Sequence, residues 1–165
     1  MNRKTVLALL SFTLIMCVMC AAAFFKVLSY PKQLTCSDCE KLLNDHEESF
    51  ELIVEIANLY LLQHYNFHAS FDENGVIDID SQLRENDALI SALNDIRSDD
   101  MLTNNPFSVS AGTRMDGSVS IRFYLYESRS TYAGIEYREV DTYAWPKDYE
   151  QRIDEHWFFY ARPML

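Results

Sequence analysis

The pattern of hydrophobic and polar positions changes its period along the chain. Between about Ser37 and Tyr65, apolar residues recur at steps of three and four, which predicts a helix with one buried stripe. One step is missed between Leu43 and Phe50. The opposite side is acidic, and Glu48, Glu51 and Glu55 share one helical face that we expect to be solvated. The same period predicts a second helix from about Arg84 to Arg97.

Between these helices, and again in the last third of the chain, the period shortens to two, as in strands with one buried face. The segments NFHASF and VIDID flank Asp72-Glu73-Asn74-Gly75. The Asn-Gly pair predicts a hairpin turn, because these residues tolerate positive φ. A tight turn is expected at Met115-Asp116-Gly117. Four more strands are predicted at Phe107–Ala111, Ser118–Glu127, Gly134–Tyr143 and Ile153–Ala161.

These elements predict an α+β domain, made of a long helix, a β-hairpin, a second helix and a four-stranded antiparallel meander packed on the helices. The order of the elements resembles that of extracytoplasmic PAS-like sensor domains. It also resembles that of cone-shaped domains of the nuclear-transport-factor type. The resemblance is one of element order alone, so no site residue follows from it.

Ahead of this domain, the 20 residues of Val6–Phe25 carry no charge. A helix of this length, at 1.5 Å per residue, crosses the ~30 Å hydrocarbon layer of a membrane. We therefore expect a transmembrane anchor or signal peptide at 1–25, a linker at 26–36 and an acidic domain at 37–165. The expected topology is single-pass in the cell membrane, with the C-terminal domain outside.

The alternative is a cleaved signal peptide and a secreted domain. Ala21 and Ala23 supply the small residues of a cleavage site after an apolar stretch. Against cleavage, Phe24 and Phe25 continue the apolar run beyond these alanines. The retained anchor is therefore the favoured interpretation.

The charge of the domain limits the classes of partner that it is expected to bind. All 25 acidic residues lie after Lys32, together with ten of the 14 basic residues, which leaves a formal charge of −15. Such a domain repels phosphate backbones and anionic lipid headgroups, so nucleic acid is not an expected partner. Contact with the membrane is expected only through the N-terminal helix. Cationic ligands or basic protein surfaces fit the domain better.

The four cysteines form two C-x-x-C pairs. Cys17 and Cys20 lie inside the apolar run, where a charged zinc site is costly, so no metal is expected. Cys36 and Cys39 stand at the predicted helix start, where the dipole stabilises a thiolate. Asp38 between them opposes that effect, however, and redox folds place this motif after a buried strand. We expect a disulfide or a free pair, with a dithiol redox role as the alternative.

No catalytic constellation is recognisable. The sequence lacks a G-x-S-x-G elbow, and its four glycines form no phosphate-binding loop. His64 and His68 have the i, i+4 spacing of metal ligands, but the helix is expected to end between them. No cofactor and no catalytic residue are therefore expected, and an enzyme is the weaker interpretation.

Aromatic residues concentrate towards the C-terminus and indicate where a partner binds. Tyr124 and Tyr126 alternate along one predicted strand and Tyr137 falls on the next, which predicts an exposed tyrosine face. The competing interpretation is that the first helix covers these rings. The sequence thus favours a membrane-anchored, extracytoplasmic, non-catalytic binding module for a protein partner or a small ligand. A secreted ligand-binding or sensor domain is the alternative.

Overall fold

The computed structural model describes residues 34–71, 77–102, 105–114, 116–127, 131–139 and 149–163, all within a compact unit spanning residues 31–165. The helices are α1 (Cys36–Asp45), α2 (Glu47–Leu61) and α3 (Asp87–Arg97). The strands are β1 (Asn66–Phe71), β2 (Ile77–Ile79), β3 (Ser108–Thr113), β4 (Val119–Glu127), β5 (Thr131–Arg138), β6 (Glu150–Arg152) and β7 (Trp157–Pro163).

Several sequence predictions fall outside the described residues. They concern the apolar run Val6–Phe25, the pair Cys17 and Cys20, and the Asn-Gly turn at 72–75. Within the described ranges, none of the helices has the length and apolar character needed to cross a membrane.

All seven strands belong to one antiparallel sheet, in the order β2-β1-β3-β4-β5-β7-β6. The prediction of a four-stranded meander packed on helices is therefore wrong. The hairpin β1–β2 joins the same sheet, because β1 pairs with β3 from Asn66↔Gly112 to Ser70↔Ser108, and β6 adds a strand beyond β7. The fold is mostly β. The period of two along a strand shows which side of the strand is buried, but it does not show which strand pairs with it. Pairing of β1 with β3 satisfies backbone N–H and C=O groups that an isolated hairpin would expose.

The helices pack on one side of the sheet, here called the covered face. The Phe50 ring of α2 lies 4.8 Å from the ring centroid of Phe123 and 5.7 Å from that of Trp157, both in edge-on geometry. Facing strands contribute buried side chains to the same core, including Phe67, Val109, Ile121 and Ile135. Burial of such large apolar side chains stabilises a fold by about 1.5–3 kcal/mol each.

The prediction of one continuous helix from Ser37 to Tyr65 is wrong, because two helices, α1 and α2, occupy this stretch. α1 begins earlier, after Thr35, whose hydroxyl accepts from the backbone N–H of Asp38 while the Asp38 carboxylate accepts from Thr35. The helix then breaks at His46, which caps the end of α1 and precedes α2. This break falls in the interval where the apolar stripe misses a step.

Tertiary contacts of the His46 ring hold the break. Nδ1 lies 2.8 Å from an Asp95 carboxylate oxygen and Nε2 lies 3.2 Å from one of Asp99. Burial lowers the pKa of His46, but the hydrogen bonds and charges of Asp95 and Asp99 outweigh it, so the pKa is raised. The His46 ring therefore joins the α1–α2 junction to Asp95 in α3 and Asp99 just beyond it.

A β-bulge separates the two ends of β4. Tyr124 pairs with Gly134, whereas Tyr126 pairs with Ala133, so the register shifts by one residue between the tyrosines. Since Gly134 and Ala133 are consecutive, their partners point to opposite faces of the sheet.

Gly134 allows the two strands to approach at the bulge. A Cβ at this position would stand 1.8 Å from the carbonyl oxygen of Phe123 and 2.8 Å from the hydroxyl of Tyr160. That hydroxyl donates a hydrogen bond to the same carbonyl, at 3.3 Å. Any side chain here would therefore push the backbone of β4 away.

The side opposite the helices, here called the open face, carries a buried ionic network. Glu136 is fully buried and accepts hydrogen bonds from four side chains, namely Arg114, Ser120, Arg122 and Arg138. Burial raises the pKa of this carboxyl. The hydrogen bonds from Arg138 and Ser120 and the charges of the arginines outweigh burial and lower the pKa to about 2. Glu136 therefore stays ionised.

Glu150 of β6 extends this network to the edge of the sheet. It accepts from Arg138 Nη1 at 3.0 Å and from Arg162 Nη2 at 3.1 Å. The guanidinium of Arg138 also lies 4.4 Å from the ring centroid of Phe158. Because a buried charge without its partner costs about 3–5 kcal/mol, these pairs favour one position of β6 against β7.

Replacement of Gly134 by alanine should destabilise the protein by about 2–3 kcal/mol, because the added methyl overlaps the Phe123 carbonyl. Gly112→Ala is the matched control on β3, where the nearest atom to an added methyl is 3.8 Å away; it should change stability by less than about 0.5 kcal/mol. Urea unfolding measures both. Equal midpoints for the two variants would contradict the close approach.

Substitution of His46 should destabilise more at acidic than at alkaline pH. Since the folded-state pKa lies above the ordinary value of 6.5, the stabilisation is complete below pH 6.5 and lost as pH rises through the folded pKa. For His46→Asn we expect a loss about 0.5–1 kcal/mol larger at pH 5.5 than at pH 8.5 in urea unfolding. His68→Asn, at an exposed position of β1, is the control. A pH-independent loss at His46 would refute the ionic clamp.

Candidate functional site

A groove of about 650 Å³ lies among the described residues and is here called the acidic groove. α1 and α2 form one wall, and β5, the start of β7 and the segment 153–156 form the other. Six carboxylates line it, from Glu40, Glu47, Glu51, Glu55, Asp154 and Glu155. Its other lining residues are Leu43, Asn44, Val54, Asn58, Tyr137, Ile153, His156 and Trp157. None of these lining residues is a lysine or an arginine.

Helical spacing places three of the carboxylates in one row. Glu47, Glu51 and Glu55 follow each other at i, i+4 along α2, so that they rise by about 6 Å per step on one side. Phe50 and Ile53 of the same helix point into the core. Like charges at this spacing disfavour a helix by about 0.2–0.5 kcal/mol per pair. A bound cation would relieve this repulsion.

An aromatic pair contributes the apolar part of the groove. Tyr137 and Trp157 are directly paired across β5 and β7, and their ring centroids lie 5.2 Å apart. The pKa of Tyr137 is raised, first by burial and then by the negative charges of Glu139 and Glu51. The electron-rich faces of such rings attract cations, most strongly for tryptophan.

Asn58 and His156 contribute polar atoms to the lining. The Oδ1 atom of Asn58 is buried and has no hydrogen-bond partner among the described residues. His156 Nδ1 lies 3.0 Å from the carbonyl oxygen of Arg138, so in the neutral ring Nδ1–H donates and Nε2 is the acceptor. The groove thus offers negative charge, aromatic faces and polar acceptor atoms, a combination that is chemically suited to a cation with N–H or N–CH₃ groups.

The tyrosine face expected from the sequence is not a single face. Tyr126 is only 8% exposed and belongs to the core, whereas Tyr124 lies on the open face with its ring centroid 6.2 Å from that of Tyr132. Only Tyr137 lies in the acidic groove. The bulge at residues 124–126 separates the first two tyrosines, because an extra residue reverses the alternation beyond it.

The acidic side of the first helix was visible in the sequence, but its role was not. Glu51 and Glu55 line the groove together with Glu47, while Glu48 stands outside it. Trp157 was visible only as one aromatic residue among several. The alternation along β7 could have placed Trp157 on the covered face of the sheet, but nothing in the sequence brings residues 153–157 beside α2.

The thiols of Cys36 and Cys39 are free in this structure, with Cys39 fully buried and Cys36 half-buried. Burial, and then the charges of Cys36 and Asp38, raise the pKa of Cys39 from 9.0 to about 12. Burial and the charge of Glu40 also raise the pKa of Cys36. A raised pKa keeps a thiol protonated, which is the opposite of what a redox or nucleophilic cysteine requires.

The two histidines with ligand spacing both lie beyond α2, which ends at Leu61, so the helix ends before His64 and not between the histidines as the sequence predicted. His64 stacks on Tyr60 with ring centroids 4.0 Å apart, whereas His68 is an exposed residue of β1. Within the described ranges no group of three or more His, Cys, Asp or Glu side chains is arranged to hold a metal ion.

Comparisons with protein-family models, with curated proteins and with solved structures find no match to this chain. The geometry of the site is therefore what bears on the function.

Cys36 and Cys39 should react poorly with thiol reagents in the folded protein. The shift of Cys39 from 9.0 to about 12 lowers its thiolate fraction by about 1,000-fold at neutral pH, and Cys36 reacts more slowly than a free thiol. Alkylation at pH 7.5 followed by mass mapping of each cysteine, with and without urea, measures this. Fast labelling of Cys39 in the folded state would contradict the structure.

Proposed function

We propose that this chain is a non-catalytic, membrane-tethered extracytoplasmic module that binds an ammonium-bearing ligand in the acidic groove. The observation that carries the proposal is the composition of the groove, in which six carboxylates surround Trp157 and Tyr137 without a lysine or arginine in the described lining. Electrostatic attraction brings a cation into the groove, and the aromatic faces favour an organic ammonium over a hydrated metal ion.

Three details support recognition over a merely solvated acidic surface. The carboxylates come from both walls, so a ligand between them meets negative charge on two sides. The Tyr137 phenol stays protonated because its pKa is raised, which keeps it a neutral donor beside the carboxylates. The unpaired Oδ1 of Asn58 costs about 1–3 kcal/mol unless a ligand or water donates to it.

The tether and the compartment rest on the apolar run Val6–Phe25. A helix of that length spans a bilayer, and an acidic domain outside the cell would present its groove to soluble amines or basic peptide segments. The raised thiol pKa values of Cys36 and Cys39 argue against the alternative of a dithiol redox protein. A mass measurement of the mature protein would separate the tethered form from the secreted form.

Removal of one groove carboxylate should weaken ammonium binding. We expect tetramethylammonium and spermidine to bind saturably, and Glu51→Gln to weaken binding about three- to fivefold, the effect of one partly screened charge contact. Isothermal titration calorimetry at constant ionic strength measures affinity. Shifts of the Trp157 indole N–H signal place the ligand beside the aromatic pair.

Glu48→Gln is the matched control, since Glu48 is an exposed glutamate of the same helix that does not line the groove. It should leave the affinity within about 1.5-fold, because an exposed charge outside the site is largely screened. Equal weakening by both substitutions would indicate a general charge effect and reject the groove. If neither amine binds saturably, the proposal is rejected. Preference between the two amines identifies quaternary or primary ammonium as the ligand group.

A further inference from the structure

The open face contains a second concave site, whose chemistry is the reverse of that of the acidic groove. It has a volume of about 300 Å³ and lies over β3 and β4. Its lining residues are Ser110, Ala111, Gly112, Thr113, Arg114, Ser120 and Arg122. Small residues on β3 keep its floor low, and two arginines are the only charged residues in this described lining. We call it the arginine pocket.

The guanidinium groups of the pocket are held by one buried carboxylate. Arg114 Nη2 lies 3.0 Å and Arg122 Nε lies 3.2 Å from the same Oε1 atom of Glu136. The side chains of Arg114 and Arg122 remain 17% and 31% exposed, whereas that of Glu136 is completely buried. The carboxylate therefore lies beneath two convergent cations that still reach solvent.

Among the described residues, the network contains more arginines than glutamates. Two glutamates, Glu136 and Glu150, are paired with four arginines, namely Arg114, Arg122, Arg138 and Arg162. Two acidic side chains stand at the exposed margin. Asp116 interacts electrostatically with Arg114 but is hydrogen-bonded to Ser118, and Glu139 accepts from the backbone N–H of Val119. Neither of these two lines the pocket.

We propose that the arginine pocket binds a compact oxyanion, such as a carboxylate, a sulfate or a phosphate. Guanidinium groups form paired hydrogen bonds with such anions, and the groups are oriented in advance by Glu136. The Ser110 hydroxyl of the lining suits one of the remaining oxygens, whereas the Ser120 hydroxyl already donates to Glu136. The net charge of −11 repels extended polyanions, but its field is screened beyond about 8 Å at physiological ionic strength, so a small anion can enter.

The proposal is tested on the full-length chain in an uncharged detergent, titrated separately with phosphate, sulfate and acetate at low ionic strength. We expect saturable heat in calorimetry with at least one anion, and shifts of the Arg122 Nε–H and Gly112 amide signals. Sodium chloride is the ionic-strength control. Response to acetate alone assigns a carboxylate ligand, whereas response to phosphate or sulfate alone assigns a tetrahedral oxyanion.

Ser110 offers a matched pair of variants, since it lines the pocket and is not one of the side chains that hydrogen-bond to Glu136. Ser110→Asp adds a competing negative charge and should weaken anion binding at least about tenfold. Ser110→Asn has nearly the same shape as the aspartate variant but no charge, so it should retain the affinity within about threefold. Ser108→Asp, on the same strand and face but outside the lining, should also retain binding. Thermal unfolding checks that each variant is folded.

Two results would overturn the proposal. The first is an absence of saturation with all three anions in the wild-type chain. The second is equal affinity of wild type and folded Ser110→Asp. If Ser110→Asp does not fold, the signal shifts of the wild-type protein on anion titration decide. Saturable shifts of residues other than Arg122 and Gly112 would also reject the pocket. The acidic groove lies on the covered face, so these results are independent of ammonium binding.

Discussion

The contact of Phe50 with Phe123 and Trp157 decides which side of the sheet the helices cover. Phe50 meets both other rings edge-on, with its ring centroid 4.8 Å from that of Phe123 and 5.7 Å from that of Trp157. This packing places α2 across β4 and β7, and it therefore brings the glutamates of α2 beside Trp157. The same packing of α2 builds the hydrophobic core and one wall of the acidic groove, because the inward-facing residues of the helix set the position of its outward-facing residues.

On the opposite face no helix of the described residues packs against the sheet, and an ionic network orders it instead. Glu136 and Arg138 alternate with core residues of β5, and both are buried among hydrogen-bonded partners. Ions are expensive to bury singly but tolerable when each is paired, so the network stabilises mainly by excluding other registers of β5, β6 and β7. The same network leaves Arg114 and Arg122 oriented towards solvent.

The two faces therefore give this acidic domain two sites of opposite charge. The groove on the helical side collects six carboxylates around an aromatic pair, and the pocket on the open side collects two arginines above a carboxylate. Because the sheet lies between the sites, each can be altered without the other. The raised pKa values of Cys36 and Cys39 keep both thiols protonated, which disfavours a dithiol redox role.

Local sequence pattern was enough to predict the acidic charge of the domain, the approximate positions of the helices and most of the strands, since periodicity and turn residues act locally. Gly117, with φ of +84°, ends the turn predicted at 115–117. Tertiary contacts set the pairing of β1 with β3, the break at His46, the bulge that turns Tyr126 inward, and the position of Glu51 and Trp157 in one groove. These features depend on contacts between residues distant in the chain, and a local pattern of polar and apolar positions does not specify the partner across such a contact.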